Sequence, residues 1–391
     1  MTMDPTERGT DRRTFLRLTG AGAVVLATAP WLEGCVVPSP VDPPPTTTPT
    51  VGYGPLQPAD ANGLRLPVGF TSRVIGTVGV AVGSTGYVLP AWPDGGACFA
   101  ASGGSWTYVC NHELNAPDGG VSAITFAADG SIVDARRILA GTGRNCAGGA
   151  TPWGTWLSCE EVSRGLVHEC DPTGATVAVA RPAMGAFQHE AVAFADRTGA
   201  FYLTEDRTDG CLYRFTPDAP GDLSSGTLAV LTDDAGVPGW AEVPDPSAAV
   251  TSTRLQVPNA RHFNGGGDHL RRQRGLFHDQ GRQPGVGARP GDIGRHGDLR
   301  RCDVADAAAD RRRQRDQHHH GRADRGGGRW RRAAGAAARR RRGPVLQLDG
   351  VAGSELAGPA FSPDGTRLYV SSQRNPGTIY EVTGPWHNVG A

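Results

Sequence analysis

Residues 192–203 read Val-Ala-Phe-Ala-Asp-Arg-Thr-Gly-Ala-Phe-Tyr-Leu, two short apolar segments joined by a polar turn. The Thr198-Gly199 step supplies the positive φ angle that a tight hairpin turn requires. On both sides of the turn the side chains alternate with period two, which is typical of strands with one buried face. This stretch therefore predicts an antiparallel β-hairpin.

The same pattern recurs at residues 123–132 and 361–370, where Asp-Gly steps mark the turns. Repeated hairpins over more than 300 residues, without a clear amphipathic helix, favour a β-propeller or a pair of β-sandwiches. Because the hairpins recur along the whole length, a propeller fits better. We therefore predict an all-β fold, a β-propeller over residues 53–391.

The N-terminal residues have the features of a targeting segment. Residues 10–16, Thr-Asp-Arg-Arg-Thr-Phe-Leu, are typical of a twin-arginine export signal, and the apolar stretch 18–31 after them is too short to span a bilayer. Residues 32–35 resemble a lipoprotein cleavage box, which leaves lipidation of Cys35 and ordinary cleavage as alternatives. We predict a signal peptide over 1–35, a Pro/Thr-rich linker over 36–52, and export to the cell envelope or beyond, with membrane attachment only through a lipid at Cys35.

The strand pattern stops at about residue 267 and resumes after 343. Residues 271–342 contain 21 of the 39 basic residues but only 8 of the 39 acidic ones, which leaves 18 basic and 31 acidic residues elsewhere. At face value the segment would be a basic nucleic-acid arm or a His-rich metal tract, but an insert of this length inside a β domain is unusual.

A frameshift explains the segment better. When G/C-rich codons are assumed and the reading frame is moved by one nucleotide, residues 271–287 and 309–320 become strand-and-turn sequence. We therefore predict that 267–343 is frame-shifted and forms a disordered or ill-packed segment. The remaining acidic body suits hard cations such as calcium and argues against nucleic acid as a partner.

The densest cluster of reactive side chains lies at residues 143–161, Gly-Arg-Asn-Cys-Ala-Gly-Gly-Ala-Thr-Pro-Trp-Gly-Thr-Trp-Leu-Ser-Cys-Glu-Glu. This stretch closely resembles a signature of the PhoX-type alkaline phosphatases. Further stretches resemble the same family in the same order: 187–191, 202–206, 211–215, 353–359 and 371–374. The resemblance covers about residues 53–266 and 344–391.

The resemblance implies a six-bladed propeller whose central channel holds iron and calcium and hydrolyses phosphomonoesters. It implies Cys159 as the thiolate ligand of iron, Glu190 as an iron-binding carboxylate, and Arg261 as the arginine that binds the substrate phosphate. It further implies four acidic residues as calcium ligands or supporting groups: Glu113, Glu160, Glu205 and Asp206.

The residue types agree with such a centre independently of the resemblance. A thiolate and carboxylates can share iron, and carboxylates are the ligands that calcium prefers. A cysteine beside two glutamates keeps its proton unless a cation is present. Cys159 could equally be a buried free thiol, and five other cysteines are candidates for core thiols or disulfide partners: Cys98, Cys110, Cys146, Cys170 and Cys211.

The function predicted from the sequence is hydrolysis of small extracytoplasmic phosphomonoesters at an iron and calcium centre, by a monomer with no nucleic-acid partner. Because the resemblance places further ligands in the frame-shifted segment, we expect this chain to be impaired. The alternatives are a non-enzymatic calcium-binding propeller that binds a protein, and another metal-dependent ester or lactone hydrolase.

Overall fold

The computed structural model describes residues 53–263, 345–351 and 353–386. The predicted signal peptide, the linker with Cys35 and the predicted frame-shifted segment 267–343 lie outside the described residues. The described residues belong to one compact unit that spans 50–391. No helix within them combines the length and the apolar character that crossing a bilayer requires.

The described residues form nineteen strands and three short 3₁₀ helices, so the predicted all-β class is confirmed. The 3₁₀ helices are Ser102–Gly104, Pro182–Met184 and Thr253–Leu255. In chain order the strands are β1 Leu64–Arg65, β2 Thr71–Thr77, β3 Pro93–Ala100, β4 Trp106–His112, β5 Gly119–Phe126, β6 Ile132–Thr142, β7 Asn145–Ala150, β8 Trp156–Glu160, β9 Val167–Cys170, β10 Val179–Ala180, β11 His189–Ala195, β12 Ala200–Glu205, β13 Leu212–Ala219, β14 Asp222–Asp234, β15 Val237–Glu242, β16 Gln347–Leu348, β17 Leu356–Phe361, β18 Arg367–Ser372 and β19 Thr378–Thr383.

These strands pair mainly with their sequence neighbours in antiparallel sheets. The first sheet has the order β3-β4-β5-β6, the second β7-β8-β9-β10, the third β11-β12-β13-β14-β15 and the fourth β17-β18-β19-β2, while β1 pairs with β16. The hairpin predicted at 192–203 is β11 and β12, with Ala195 opposite Ala200 at the turn. The hairpins at 123–132 and 361–370 are likewise present, as β5–β6 and β17–β18.

The fourth sheet joins the two ends of the domain. Its outer strand β2 comes from the N-terminal side and pairs with β19 near the C-terminus, with Thr71 opposite Thr383 and Thr77 opposite Thr378. This pairing satisfies the backbone groups along β19 that would otherwise form an open edge. Circular closure of this kind is expected of a propeller.

The hydrophobic cores lie between neighbouring sheets. Tyr108 of the first sheet stacks on Tyr369 of the fourth, with ring centroids 4.9 Å apart. Leu157 of the second sheet packs in one buried cluster with Phe201 and Tyr213 of the third. Each buried side chain of this size contributes about 1.5–3 kcal/mol of transfer free energy. Because each sheet is buried against the next, we describe the four sheets as blades of a β-propeller-like fold.

The first strands of the four sheets contact one another in the order β17, β3, β7 and β11. Two glycines permit this close approach. A Cβ atom on Gly95 would lie 2.6 Å from the Cα of Ala147, and one on Gly358 would collide with the carbonyl oxygen of Asp94. Gly358 also has a φ of 60°, a region that side chains disfavour. These four inner strands carry the candidate site.

Candidate metal centre

Three of the inner strands contain a β-bulge at the same position. In each, two residues oppose one residue of the next strand: Asp94-Gly95 in β3, Cys146-Ala147 in β7 and Glu190-Ala191 in β11. A bulge re-aims a side chain relative to the regular alternation of a strand. The first residue of each bulge is Asp94, Cys146 or Glu190, so each sheet contributes one potential ligand from the same place.

The second strand of each sheet contributes another acid at the same end. Glu113, Glu161 and Asp206 directly follow β4, β8 and β12. The residues just before these acids, His112, Glu160 and Glu205, pair with the residues just before the three bulges. Six side chains from three sheets are thereby brought to one end of the inner strands. We call Asp94, Glu113, Cys146, Glu161, Glu190 and Asp206 the acidic cluster.

The thiol of Cys146 lies among these carboxylates. Its Sγ donates a hydrogen bond to Oε2 of Glu190 at 3.4 Å and lies 4.0 Å from Oδ2 of Asp94. One ligand atom each of Cys146, Glu161 and Glu190 lie within 4.8 Å of one another. This separation is short enough for a single cation to contact all three.

The fourth sheet closes the cluster with an amide. Nε2 of Gln373, directly after β18, donates to Oδ2 of Asp94 at 2.5 Å and to Oε2 of Glu113 at 2.6 Å. Its Oε1 is buried and has no hydrogen-bond partner among the described residues. A buried oxygen without a donor is costly, and a cation would satisfy it.

One arginine partly balances the negative charge. Nη2 of Arg144 donates to Oε1 of Glu113 at 2.6 Å and approaches Oε2 of Glu161 at 3.4 Å. Its side chain is 41% exposed, so this cation lies at the solvent side of the cluster. Among the described residues, one arginine pairs with these five carboxylates, which leaves the cluster with too much like charge to ionise fully.

Burial and the crowding of negative charge raise the pKa values of four groups in the cluster. Burial, and then the charges of Asp206 and Glu161, raise the pKa of Glu190 well above its usual value. Burial, followed by the charge of Glu113, does the same for Asp94. Burial and a hydrogen bond with Asp206 raise the pKa of Glu161 to about 7. Burial and the charge of Glu190 also raise the pKa of the Cys146 thiol.

These residues fit the iron and calcium that the sequence predicts. A soft thiolate with carboxylates suits iron, and several carboxylate oxygens with an amide carbonyl suit calcium. A bound cation would reverse the raised pKa values, because it stabilises the ionised forms that now repel one another. The convergence of Cys146, Glu161 and Glu190 is the observation that most directly favours a cation over a mere group of protonated acids.

Three of the residues predicted from the sequence lie in the acidic cluster: Glu113, Glu190 and Asp206. Cys159 does not point into it. It is the single residue opposite the Cys146-Ala147 bulge and is fully buried in the core between the second and third sheets. All six cysteines of the described residues are free thiols, so no disulfide forms among them.

Two predicted acids have partners outside the acidic cluster. Glu160 accepts hydrogen bonds from the N–H groups of Gly143 and Leu166 and contacts His168 at 3.1 Å. Burial alone would raise its pKa, but these donors outweigh burial and lower it. Glu205 accepts from the hydroxyl of Tyr213 at 2.9 Å and pairs with Arg254 at 3.2 Å.

The predicted phosphate-binding arginine, Arg261, makes local contacts. Its Nη1 lies 3.8 Å from Oδ2 of Asp233, and its guanidinium lies 5.2 Å from the ring centre of Phe263. Its backbone N–H donates to the carbonyl oxygen of Leu231 at 2.7 Å. The described contacts of Arg261 therefore involve the third sheet, and its role toward phosphate stays a prediction.

Sequence reasoning missed Asp94, Cys146 and Glu161 as site residues. The sequence nevertheless contains these residues in a pattern that repeats in each of the three sheets. Asp94, Cys146 and Glu190 are each followed by a small residue at a strand start, while His112-Glu113, Glu160-Glu161 and Glu205-Asp206 end the next strand. Because neighbours on a strand point to opposite faces, only the second residue of each pair can enter the cluster.

Asn111 holds the bulge of Cys146 in place. Its Nδ2 donates to the carbonyl oxygens of Cys146 and Ala147 at 3.0 and 2.8 Å, and its Oδ1 accepts from Trp156 Nε1 and Ser158 Oγ. It is fully buried. The side chain thus orients the thiol without touching the acids.

We expect Asn111→Ala to destabilise the protein by about 3 kcal/mol, because each buried group left without a partner costs about 1–3 kcal/mol. Chemical denaturation would measure this. The control is Thr125→Val in the same sheet, which removes one partly buried hydroxyl contact with Thr107 and should cost less than about 1 kcal/mol. Equal effects of the two substitutions would contradict this role of Asn111.

Comparisons with known proteins agree with the family resemblance seen in the sequence. Residues 114–169 and 162–288 match the model of a family described as alkaline phosphatase PhoX. A structure of PhoX from Pseudomonas fluorescens in complex with vanadate, a transition state analogue, superposes with a TM-score of 0.54 at 15% sequence identity. The match covers 85% of this chain and 98% of that one. At this identity the match establishes the fold.

Two further structures superpose too poorly to support a conclusion about fold or function. A gluconolactonase from Xanthomonas campestris has a TM-score of 0.34 at 10% identity, covering 86% of this chain and 99% of that one. An α-L-arabinofuranosidase from Podospora anserina has a TM-score of 0.28 at 11% identity, covering 82% and 98% respectively. No curated protein matches the sequence.

Proposed function

We propose that this chain, which the family match and the fold assign to the PhoX-type alkaline phosphatases, hydrolyses small phosphomonoesters at a metal centre held by the acidic cluster. The observation that carries the proposal is the convergence of the Cys146 thiol with the Glu161 and Glu190 carboxylates within 4.8 Å of one another. We propose extracytoplasmic phosphomonoesters as the substrates, and export by the twin-arginine route, followed either by lipidation of Cys35 or by ordinary cleavage.

The donor types divide the cluster between two kinds of cation. Cys146, Glu161 and Glu190 would hold iron, since a thiolate and carboxylates are suitable ligands for it. Asp94 and Glu113 would hold calcium, which takes only oxygen ligands. Gln373 would join them through its amide oxygen after a turn of the amide, because Nε2 is the atom that faces these two carboxylates here. When bound, such cations would neutralise the charge of a phosphate group and activate an attacking oxygen.

The remaining residues position these ligands and shield them. Gln188 donates its side-chain amide to Oε1 of Glu161 at 3.1 Å, and Asn111 fixes the bulge of Cys146. Arg144, at the solvent side, presents a guanidinium where a phosphate would enter. A guanidinium suits two phosphate oxygens at once. We propose Arg144, with Arg261 as the second candidate, as the arginine that orients the substrate phosphate.

A phosphatase assay with iron and calcium supplied tests the proposal. The chain should be assayed both as it stands and with residues 267–343 restored to the other reading frame. We expect the restored chain to hydrolyse p-nitrophenyl phosphate and the present chain to be slower, because it lacks ligands predicted in that segment. Bound calcium without iron and without hydrolysis in the restored chain would instead favour a calcium-binding interaction protein.

A further inference from the structure

A cavity of about 180 Å³ lies beside the acidic cluster. Its polar lining comes from the third sheet, the loops around it and the β8–β9 loop of the second sheet: Ser163, Arg164, Gln188, Glu205, Arg207, Ser252 and Arg254. Pockets that enclose whole drug-sized ligands have volumes of about 300–1,000 Å³. This cavity therefore suits one substituent of a ligand rather than an entire large molecule.

The cavity and the acidic cluster share a wall. Asp206 belongs to the cluster, while its chain neighbours Glu205 and Arg207 line the cavity. Gln188 also lines the cavity, and its Nε2 donates to the Glu161 carboxylate of the cluster at 3.1 Å. The backbone carbonyl of Gln188 accepts from the N–H of Asp206 at 3.0 Å. The Gln188 side chain therefore lies between the cluster and the cavity, which places the cavity within one side chain of the cluster.

The cavity is positively charged. Three guanidinium groups line it, against the carboxylate of Glu205 and that of Asp209, which pairs with Arg254, a net charge of about +1. Arg254 is fixed by Glu205 at 3.2 Å and by Asp209 at 3.0 Å. Arg164 donates to the carbonyl oxygen of Ser247 at 3.1 Å, and the ion pairs found among the described residues include neither Arg164 nor Arg207. These two guanidiniums have donors to offer an anion.

We propose that this cavity binds a second anionic group of the substrate, a phosphate or a carboxylate carried on the alcohol part of the phosphomonoester. The preferred substrates are then small phosphomonoesters with two separated anionic groups, such as sugar bisphosphates. This inference rests on the proposed function for the placement of the phosphate that is hydrolysed. Arg164 and Arg207 are specificity-determining residues, and Arg254 is a positioning residue held by its two carboxylates.

The test compares glucose 1,6-bisphosphate with glucose 6-phosphate, using the metal-loaded full chain in its present and frame-restored forms. We expect a higher kcat/KM for the bisphosphate. Arg164→Gln and Arg207→Gln should each reduce that preference about tenfold, mainly by raising KM for the bisphosphate. A tenfold change corresponds to the loss of about one charge-assisted hydrogen bond. Hydrolysis of p-nitrophenyl phosphate should not change. Arg136→Gln, on the surface strand β6, is the matched control and should retain the preference.

Binding separates this inference from the proposed function. Calorimetry with inorganic phosphate on the chelator-treated full chain should show binding that each cavity substitution weakens about tenfold and Arg136→Gln does not. If no phosphate ester is hydrolysed but this pattern appears, the proposed function fails and the anion-binding cavity stands. An unchanged bisphosphate preference in both variants, or phosphate binding that neither variant weakens, would overturn the inference.

Discussion

Cys146→Ala is expected to remove bound iron from the protein, with a loss of iron affinity greater than about 100-fold. Supporting residues around a metal typically contribute 10–100-fold in affinity, and a direct ligand contributes more. The Sγ atom of Cys146 lies 3.4 Å from Oε2 of Glu190. It also lies within 4.8 Å of a carboxylate oxygen of Glu161. Elemental analysis of the purified protein after loading with iron would measure the loss, and phosphatase activity should fall in parallel.

Cys159→Ala is the matched control, because it makes the same substitution at the other cysteine of the β7–β8 hairpin. Cys159 is fully buried in the core between two sheets, so its loss should leave a small cavity and cost about 1–2 kcal/mol of stability. Iron content should be unchanged. The opposite pattern, iron lost with Cys159→Ala and kept with Cys146→Ala, would contradict the site and restore the ligand predicted from the sequence.

Glu190→Gln is expected to stabilise the metal-free protein while abolishing iron binding. Glu190 is buried beside Asp206, Glu161 and Asp94, whose charges raise its pKa. A neutral amide of the same shape removes that repulsion, and we expect a gain of about 1–3 kcal/mol at pH 8. Thermal unfolding in the presence of a chelator would measure it. Glu242→Gln, at the end of the edge strand β15, is the control and should change stability little.

The same crowding predicts how stability depends on pH. In the metal-free protein the pKa values of Asp94, Glu161 and Glu190 are raised above those of the unfolded chain, so the folded state holds more protons. The contribution of these three carboxyl groups should therefore be greatest below about pH 4.5 and be lost as the pH rises, for Glu161 through about pH 7. Burial lowers the pKa of His112 to about 3 and that of His189 to about 4, so these two groups contribute the opposite slope below about pH 6.5. Added iron and calcium should remove this decline. Glu190→Gln should decline less steeply than the unsubstituted protein over that interval, and identical metal-free profiles of the two would contradict the assignment.

Much of the fold could be predicted because its determinants are local. The turn at 196–199 and the alternation on either side fix the β11–β12 hairpin without distant contacts. The closure of the fourth sheet by β2 could not be predicted in this way, because it pairs residues about 300 positions apart. No local pattern in Thr71–Thr77 indicates which strand it joins.

The site was only partly predictable for a related reason. Glu113, Glu190 and Asp206 lie at strand ends whose sequence is recognisable, so they could be named. The choice between Cys146 and Cys159 depends on the β7 bulge, where the register shifts between the pairs Asn145–Glu160 and Gly148–Ser158. That shift re-aims Cys146 toward the cluster, and a one-residue difference in register reverses which face a side chain meets.

The most direct test of the metal centre is an anomalous difference map, collected at the iron absorption edge from crystals of the full chain loaded with iron and calcium. We expect a peak bonded to the Sγ atom of Cys146, with carboxylate oxygens of Glu161 and Glu190 as neighbours. A peak beside Cys159, or iron-loaded crystals with no peak among the bulged inner strands, would contradict it.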